Sequence, residues 1–376
     1  VTVHYIAPQG LGRQDGLSLD NAYPISSINS AIANYRENDV IQVAGHLGDY
    51  HRDKPVDIKR GGVPGGVVQI GPVPNTTPRF TGNRATPYDP EGVVGTDAFR
   101  LLDDASYIEV QGFEFEGLAS AFRLGSPLVD ISLSGHKGAN VRRFVENFAS
   151  GDWKQATVVG LTVADVDVRG FSKNAVRLRY DTQDVTLRNV RGDSMHEDGD
   201  NFAIGVLLEG SVHAVKLESC VMENALATTD NYWNGDGFTT GPDTYDITFT
   251  DTEAAGNADA GYDLKGNAIT LERAIAFGNK RNFRVWETST LDHCIGISPQ
   301  TQGGSGQVCQ LWLGPKNPAV EVVGTTFFDN DTDVMVVQSE GLGTRTRFTD
   351  CRIAYSGMLS STPAIVDAIG AQGWKR

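Results

Sequence analysis

Nine short segments of this chain share one template, and that repetition restricts the fold more than any other feature. They are IEVQGFEF from Ile108, LTVADVDV from Leu161, VTLRNVRG from Val185, VKLESCVM from Val215, ITFTDTEA from Ile247, ITLERAIA from Ile269, STLDHCIG from Ser289, VEVVGTTF from Val320 and TRFTDCRI from Thr346. Apolar or small residues hold the first, third and sixth positions, and a polar or glycine corner follows the third. From Leu161 onward the intervals are 24, 30, 32, 22, 20, 31 and 26 residues. A strand–corner–strand unit repeated at this period predicts a solenoid. Leucine-rich repeats lack support, because no leucine–asparagine framework and no recurrent helix is present. Propeller blades need longer repeats. The expectation is an all-β chain, a single parallel β-helix of roughly 10 to 12 coils over 1–376 at about 26 residues per coil.

Helical periodicity is confined to ISSINSAIANY, Ile25 to Tyr35, where Ile25, Ile28, Ala31 and Ile32 share a face and Ser26 or Ser27 can cap. With the first strand it forms a capping segment within residues 1–50 that covers an open sheet edge. Cys220, Cys294 and Cys351 all fall on the sixth template position, as do Phe113, Val166, Val190, Ala274 and Thr325. That position is therefore read as an inward ladder, with reduced, buried thiols. Cys309 lies outside the register.

A net charge of −15 disfavours nucleic-acid binding. No run of 18 apolar residues offers a membrane span. The opening VTVHYIAP reads as the start of a mature chain. No exposed apolar stripe is readable, so a monomer is expected.

The longest intervals locate chemistry. Coils of 30 and 32 residues carry inserted loops within 195–240, MHEDGDNFAIG from Met195 and ENALATTDNYWNGDG from Glu223. Such loops wall a groove on a solenoid. Beside them, Gly237-Phe238-Thr239, Gly261-Tyr262-Asp263 and Asn282-Phe283-Arg284 recur at steps of 24 and 21 residues. Stacked coils then make Phe238, Tyr262 and Phe283 an aromatic ladder and set Asp263 beside Arg284. Asp236 and Asp259, 23 residues apart, are expected close to Asp263. Three converging carboxylates repel unless a cation or proton intervenes, and an oxygen-rich site of this kind suits Ca²⁺. Corner aspartates that only satisfy turn amides, and Arg284 as a plain partner of Asp263, are the structural alternatives.

NGDGF, then NADAGYD, then NFRVW resembles the core of family 9 polysaccharide lyases, the calcium-dependent pectate-lyase type. The resemblance spans about 55 residues. It implies a right-handed parallel β-helix, an acidic polysaccharide substrate, and Asp236, Asp259 and Asp263 as calcium ligands. Ala260 stands where that pattern has a further aspartate, and Arg284 where it has the lysine base.

β-Elimination of a uronate requires a neutralised sugar carboxylate, a base for the C5 proton and a departing O4. Arg284 is the expected base, and Lys265, on the same face as Asp263, is the second candidate. Lys280 and Arg281 would favour a neutral guanidine at Arg284 and are candidates for contact with substrate. Tyr232 and Trp233 in the inserted loop are candidate sugar-stacking walls. His196, Asp198 and Asp200 on the other loop, and Arg177 and Arg179 upstream, are candidates for contact with substrate. The leading expectation is a lyase on a uronate polysaccharide. A glycoside hydrolase using Asp236, Asp259 and Asp263 as acid and base, a uronate epimerase, and a non-catalytic carbohydrate-binding solenoid are the alternatives. A polymeric glycan substrate places the protein outside the cytoplasm, secreted or periplasmic.

Overall fold

The computed structural model describes residues 2–36, 39–329, 334–355 and 357–370. It divides into two compact units, Val1–Phe171 with Val176–Thr186, and Ser172–Ala175 with Leu187–Arg376. Each unit is built of parallel strands stacked coil on coil, so the parallel β-helix class read from the repeat is the observed fold.

In the first unit a parallel ladder climbs from Val3–Ala7 through Val40–Val43, Val68–Pro72, Ile108–Gln111 and Leu128–Ser134 to the start of Val158–Leu178. Its core is aromatic, with Tyr50 and Phe80 stacked at 4.7 Å and Phe99 and Phe122 at 5.7 Å. In the second unit one ladder runs through His213–Glu218, Tyr245–Thr250, Asn267–Glu272, Ser289–Asp292, Val320–Val323 and Thr346–Thr349. A second ladder runs through Ile204–Leu208, Asp236–Thr240, Ala260–Leu264, Arg281–Val285, Cys309–Leu313 and Met335–Ser339. This second ladder carries the candidate site.

The template has a backbone cause. Its fifth residue is left-handed in every repeat: Gly112, Asp165, Asn189, Ser219, Asp251, Arg273, His293, Gly324 and Asp350 all have φ between 50° and 76°. One such residue turns the chain between two short strands and aims the next side chain inward. Gly, Asn and Asp adopt this conformation most readily, which is why they recur there.

The sixth position is an inward ladder, as expected. Cys220, Cys294 and Cys351 are buried and free, and the thiol of each donates to a carbonyl one coil back, Leu187, Leu271 and Val322. Thr325 makes the same bond with its hydroxyl, to Leu291. Burial pushes the Cys220 thiol up to about 11 and that of Cys294 up to about 12. Cys309 is buried in the strand that follows Arg281–Val285, opposite Arg281. A thiol reagent should therefore label no cysteine rapidly in the native protein and all four after unfolding without reductant. Rapid native labelling at any of the template positions would contradict the ladder.

The cap differs from expectation in two details. Its first turn, Ile25–Ser27, is a 3₁₀ turn, and the α-helix is Ile28–Asn34. Ser27 occupies the N-cap but its hydroxyl bonds no helix amide. Asn29 does the anchoring, donating to the Asp57 carbonyl and accepting from the Lys59 amide. The four apolar residues of its inner face are buried as expected. A second helix, Pro363–Gly370, buries Ile365 and Ile369. Thr362-Pro363 is its start signal, with proline preset for a first helical turn. No helix among the described residues is long and apolar enough to cross a membrane.

Candidate active site

The register of the second ladder is the one the spacing predicts. Phe238 pairs with Tyr262 and Tyr262 with Phe283, and the rings stack at 5.1 and 5.4 Å with 12° and 13° between planes. On the next residue, facing the other way, Thr239, Asp263 and Arg284 form one row. Two glycines permit this stacking. A Cβ on Gly237 would lie 2.7 Å from the Gly261 carbonyl oxygen, and one on Gly261 2.7 Å from that of Asn282. Below, buried asparagines hold the coils together. The Asn257 side-chain amide donates to Asn279 at 2.9 Å, and that of Asn279 donates to Asn282 at 3.0 Å.

Asp236 and Asp259 lie about one coil apart, as expected, but are not in equivalent positions. In the ladder Ala260 takes the place after Asp236, and Asp259 falls one residue earlier. The Ala260 amide donates to Asp236 at 2.8 Å, and the Thr239 hydroxyl donates to its other oxygen at 3.0 Å. Burial first, then the neighbouring Asp263 and Asp259, push the Asp236 carboxyl up to about 7.

Asp259 is the hub. It is 2% exposed, yet four groups converge on it. The Tyr232 hydroxyl donates at 2.6 Å, Arg281 Nη1 at 2.9 Å and Arg284 Nη1 at 3.2 Å, while Lys280 Nζ stands 3.6 Å away. Asp263 accepts from Lys265 Nζ and, at 2.7 Å, from Trp286 Nε1, and Arg284 Nη1 lies 3.7 Å from it. The Arg284 guanidinium also lies against the faces of Trp286 and Trp312, 4.7 and 4.9 Å from the centroids.

These contacts test the expected roles. A calcium ion needs six to eight oxygen ligands. Here each carboxylate is already engaged by protein donors, and two lysines and two arginines surround them. The residues present do not fit a calcium site, and no chemical step is assigned to one. Arg284 does not fit a base. Burial alone would lower its pKa, but Asp263 and Asp259 outweigh burial and hold it above the ordinary arginine value. It stays a cation. Lys280 does not fit substrate contact either: its side chain is 0% exposed. Its ammonium donates to the carbonyls of Trp233 and Ser305 and sits 3.8 Å from the Tyr232 ring centroid. Burial lowers its pKa, opposed by Asp259. Lys280 pins two loops to the coil. Arg281, nearly as buried, clamps the Tyr232 hydroxyl and Asp259.

Trp233 packs on a loop that the spacing did not reveal, the turn around Gly303 and Gly304. The Ser305 amide closes that loop onto the Asn231 carbonyl at 2.9 Å. Tyr232 remains half-buried at the rim of the cluster. The other insertion acts as a buttress. Asp198 accepts from the Thr228 amide at 2.8 Å and from its hydroxyl, and Asp200 accepts from Ser172 at 3.0 Å. His196 is exposed on that insertion. Arg177 and Arg179 belong to the first unit. Among the expected residues, the structure therefore brings together Asp236, Asp259, Asp263, Lys265, Arg284, Arg281, Lys280 and Tyr232. Trp286 and Trp312 are the members that sequence reasoning missed, although both stand two positions along from, or directly after, Arg284 in the row.

Solved structures align with this chain at low identity. A pectate lyase, Pel9A, aligns over 97% of this chain and 81% of its own, at 13% identity and a TM-score of 0.42. A rhamnogalacturonan lyase aligns over 90% and 84%, at 12% and 0.44. A GH136 lacto-N-biosidase from Eubacterium ramulus aligns over 83% and 68%, at 9% and 0.45. No protein-family model matches the sequence, and no curated protein does. The chemistry therefore rests on this chain's own side chains.

The raised Asp236 carboxyl gives a pH test. Its folded pKa of about 7 exceeds the unfolded value of 3.8. The folded state thus binds more protons between these values, and stability falls as pH rises from about 4 to about 7. Asp236→Asn removes the penalty. The variant should gain stability relative to wild type on going from about pH 5 to about pH 8 in urea titrations. An equal difference at both pH values would contradict a protonated Asp236.

Proposed function

We propose that the chain is a polysaccharide lyase that cleaves a uronate-containing glycan by β-elimination. The observation that supports this most is the Asp263–Arg284 pair, matched in register on adjacent coils with Lys265 on the same carboxylate. It places a fixed cation and an amine next to each other at the partly open side of a cluster that is otherwise buried. Arg284 binds the sugar carboxylate and disperses the negative charge that develops there as C5 loses its proton. Lys265, whose side chain is 30% exposed, supplies the base at Nζ. The C5 proton moves to its Nζ, the C5–H electrons form the C4–C5 double bond, the C4–O4 bond breaks with its electron pair going to O4, and O4 takes a proton from water as it leaves. Trp286 and Tyr232 border the place where the ring would lie. Asp263 orients Lys265 Nζ before and after transfer.

Asp236 favours a second reading. A buried carboxyl pushed up to about 7, beside two other carboxylates, is what the general acid of a glycoside hydrolase needs. One assay separates the two. The protein is incubated with a panel of acidic polysaccharides while ultraviolet absorbance of unsaturated uronate and new reducing ends are followed together. Both signals rising on one uronate polymer supports the lyase. Reducing ends without absorbance supports the hydrolase.

A further inference from the structure

The second unit has a third ladder, made of short strands and separate from the one that carries the candidate site. Glu253–Ala255, Ile275–Phe277, Ile295–Ile297, Thr326–Phe328 and Arg352–Ala354 pair residue for residue with no register shift. The middle residues Ala254, Ala276, Gly296 and Phe327 are buried. Strand alternation then sends the first and third residues to the outer face. One outer row reads Glu253, Ile275, Ile295, Thr326, Arg352, and the other Ala255, Phe277, Ile297, Phe328, Ala354. Phe277, Ile295 and Phe328 are 39%, 38% and 41% exposed. Earlier in the same rows Arg191 and Glu223 form an ion pair at 2.6 Å, so the apolar stretch is local. Adjoining large apolar side chains on an outer face mark a contact surface.

Both rows are self-complementary about their middle coil. A half turn about the strand Ile295–Ile297 reverses the order of the coils and sets each row against itself. Ile295 and Ile297 then meet their own copies, Phe277 meets Phe328, and Ala255 meets Ala354. Glu253 meets Arg352 at both ends. This reciprocity is what a closed two-fold interface requires. Neither Glu253 nor Arg352 has a side-chain hydrogen bond or ion pair among the described residues. Burial, then the neighbouring Glu223, hold the Glu253 carboxyl above its ordinary value, a state that an incoming guanidinium relieves.

We propose that this face docks a second copy of the chain, the two copies running antiparallel about a two-fold axis along Ile295–Ile297. The expectation of a monomer rests on the lack of a readable stripe, and the register assembles one from residues 20 to 31 positions apart. Four coil spacings make a stripe only about 19 Å long, so the dimer is weak and depends on concentration. The net charge of −15 opposes any pairing of copies at low salt. At physiological ionic strength that repulsion is screened beyond about 8 Å, whereas apolar contact is not. The inference does not depend on the lyase reading.

Sedimentation equilibrium of the full chain at physiological salt, from about 1 µM to about 1 mM, is the test. Wild type should pass reversibly from monomer to dimer and no further. Ile295→Glu brings two carboxylates together on the two-fold axis and should weaken the dimer at least about tenfold. Glu253→Arg alone, or Arg352→Glu alone, opposes like charges at both ends and should weaken it about fivefold. The two together restore opposite charges and should return the dissociation constant to within about twofold of wild type. Urea midpoints on the same preparations separate folding from association. A wild type that stays monomeric throughout leaves the face to some other molecule and overturns the proposal. So does a dimer that the single charge reversals leave unchanged or that the double reversal does not restore, and so does growth beyond the dimer.

Discussion

Arg284→Ala is expected to lower turnover on the cleaved uronate polymer by at least about 10²-fold, the usual loss when one fixed charge-stabilising donor is removed. The guanidinium reaches two carboxylates at once, 3.2 Å from Asp259 and 3.7 Å from Asp263. Lysine places a single charge at the end of a flexible stem and cannot bridge both with the same geometry. Arg284→Lys should therefore recover part of the rate, chiefly as a lower KM. Stability should also fall, against the expectation for an open cleft residue. The side chain is only 18% exposed, and its loss leaves two buried carboxylates less compensated. Discounted for that exposure, the cost is about 1–3 kcal/mol. Denaturant midpoints and initial rates measured on the same preparation separate the two effects. A variant that folds and turns over as wild type does would remove Arg284 from the chemistry.

Asp259→Ala should have the largest effect on stability. The substitution takes from Arg281 and Lys280 their shared carboxylate, leaves Arg284 with Asp263 alone, and deprives the Tyr232 hydroxyl of its acceptor. Breaking a buried charge set from one side costs roughly 3–5 kcal/mol. Because Lys280 also ties the loops at Trp233 and Ser305, their opening should accompany the loss. Urea midpoints report the first effect, and limited proteolysis at 299–308 the second. Asp259→Asn keeps an acceptor and should lie between. A loss below about 0.5 kcal/mol for Asp259→Ala would show that the cluster does not hold the loops.

The fold was legible because a β-helix writes its cross-section into the sequence at every coil. The sixth-position cysteines and the left-handed fifth position repeat whatever the surface carries. The row Thr239, Asp263, Arg284 was legible for the same reason, since equal spacing means stacking. What spacing does not carry is which loop folds back over a strand. Lys280 reads as one more basic residue beside Arg281, and only its contacts 25 and 47 residues away make it a buried pin. The protonation of Arg284 was misread for a related reason. Its charge is held by Asp263 and Asp259 together, and the contact of Arg284 with Asp259 shows only in the fold.

The most direct test of the central claim is mass analysis of the product released from the cleaved uronate polymer, made in the presence of a strong calcium chelator. The account predicts an oligosaccharide lighter by one water than the hydrolysis product, formed at an undiminished rate by wild type and not by Lys265→Ala. A hydrated product, or cleavage that stops in chelator, would contradict it.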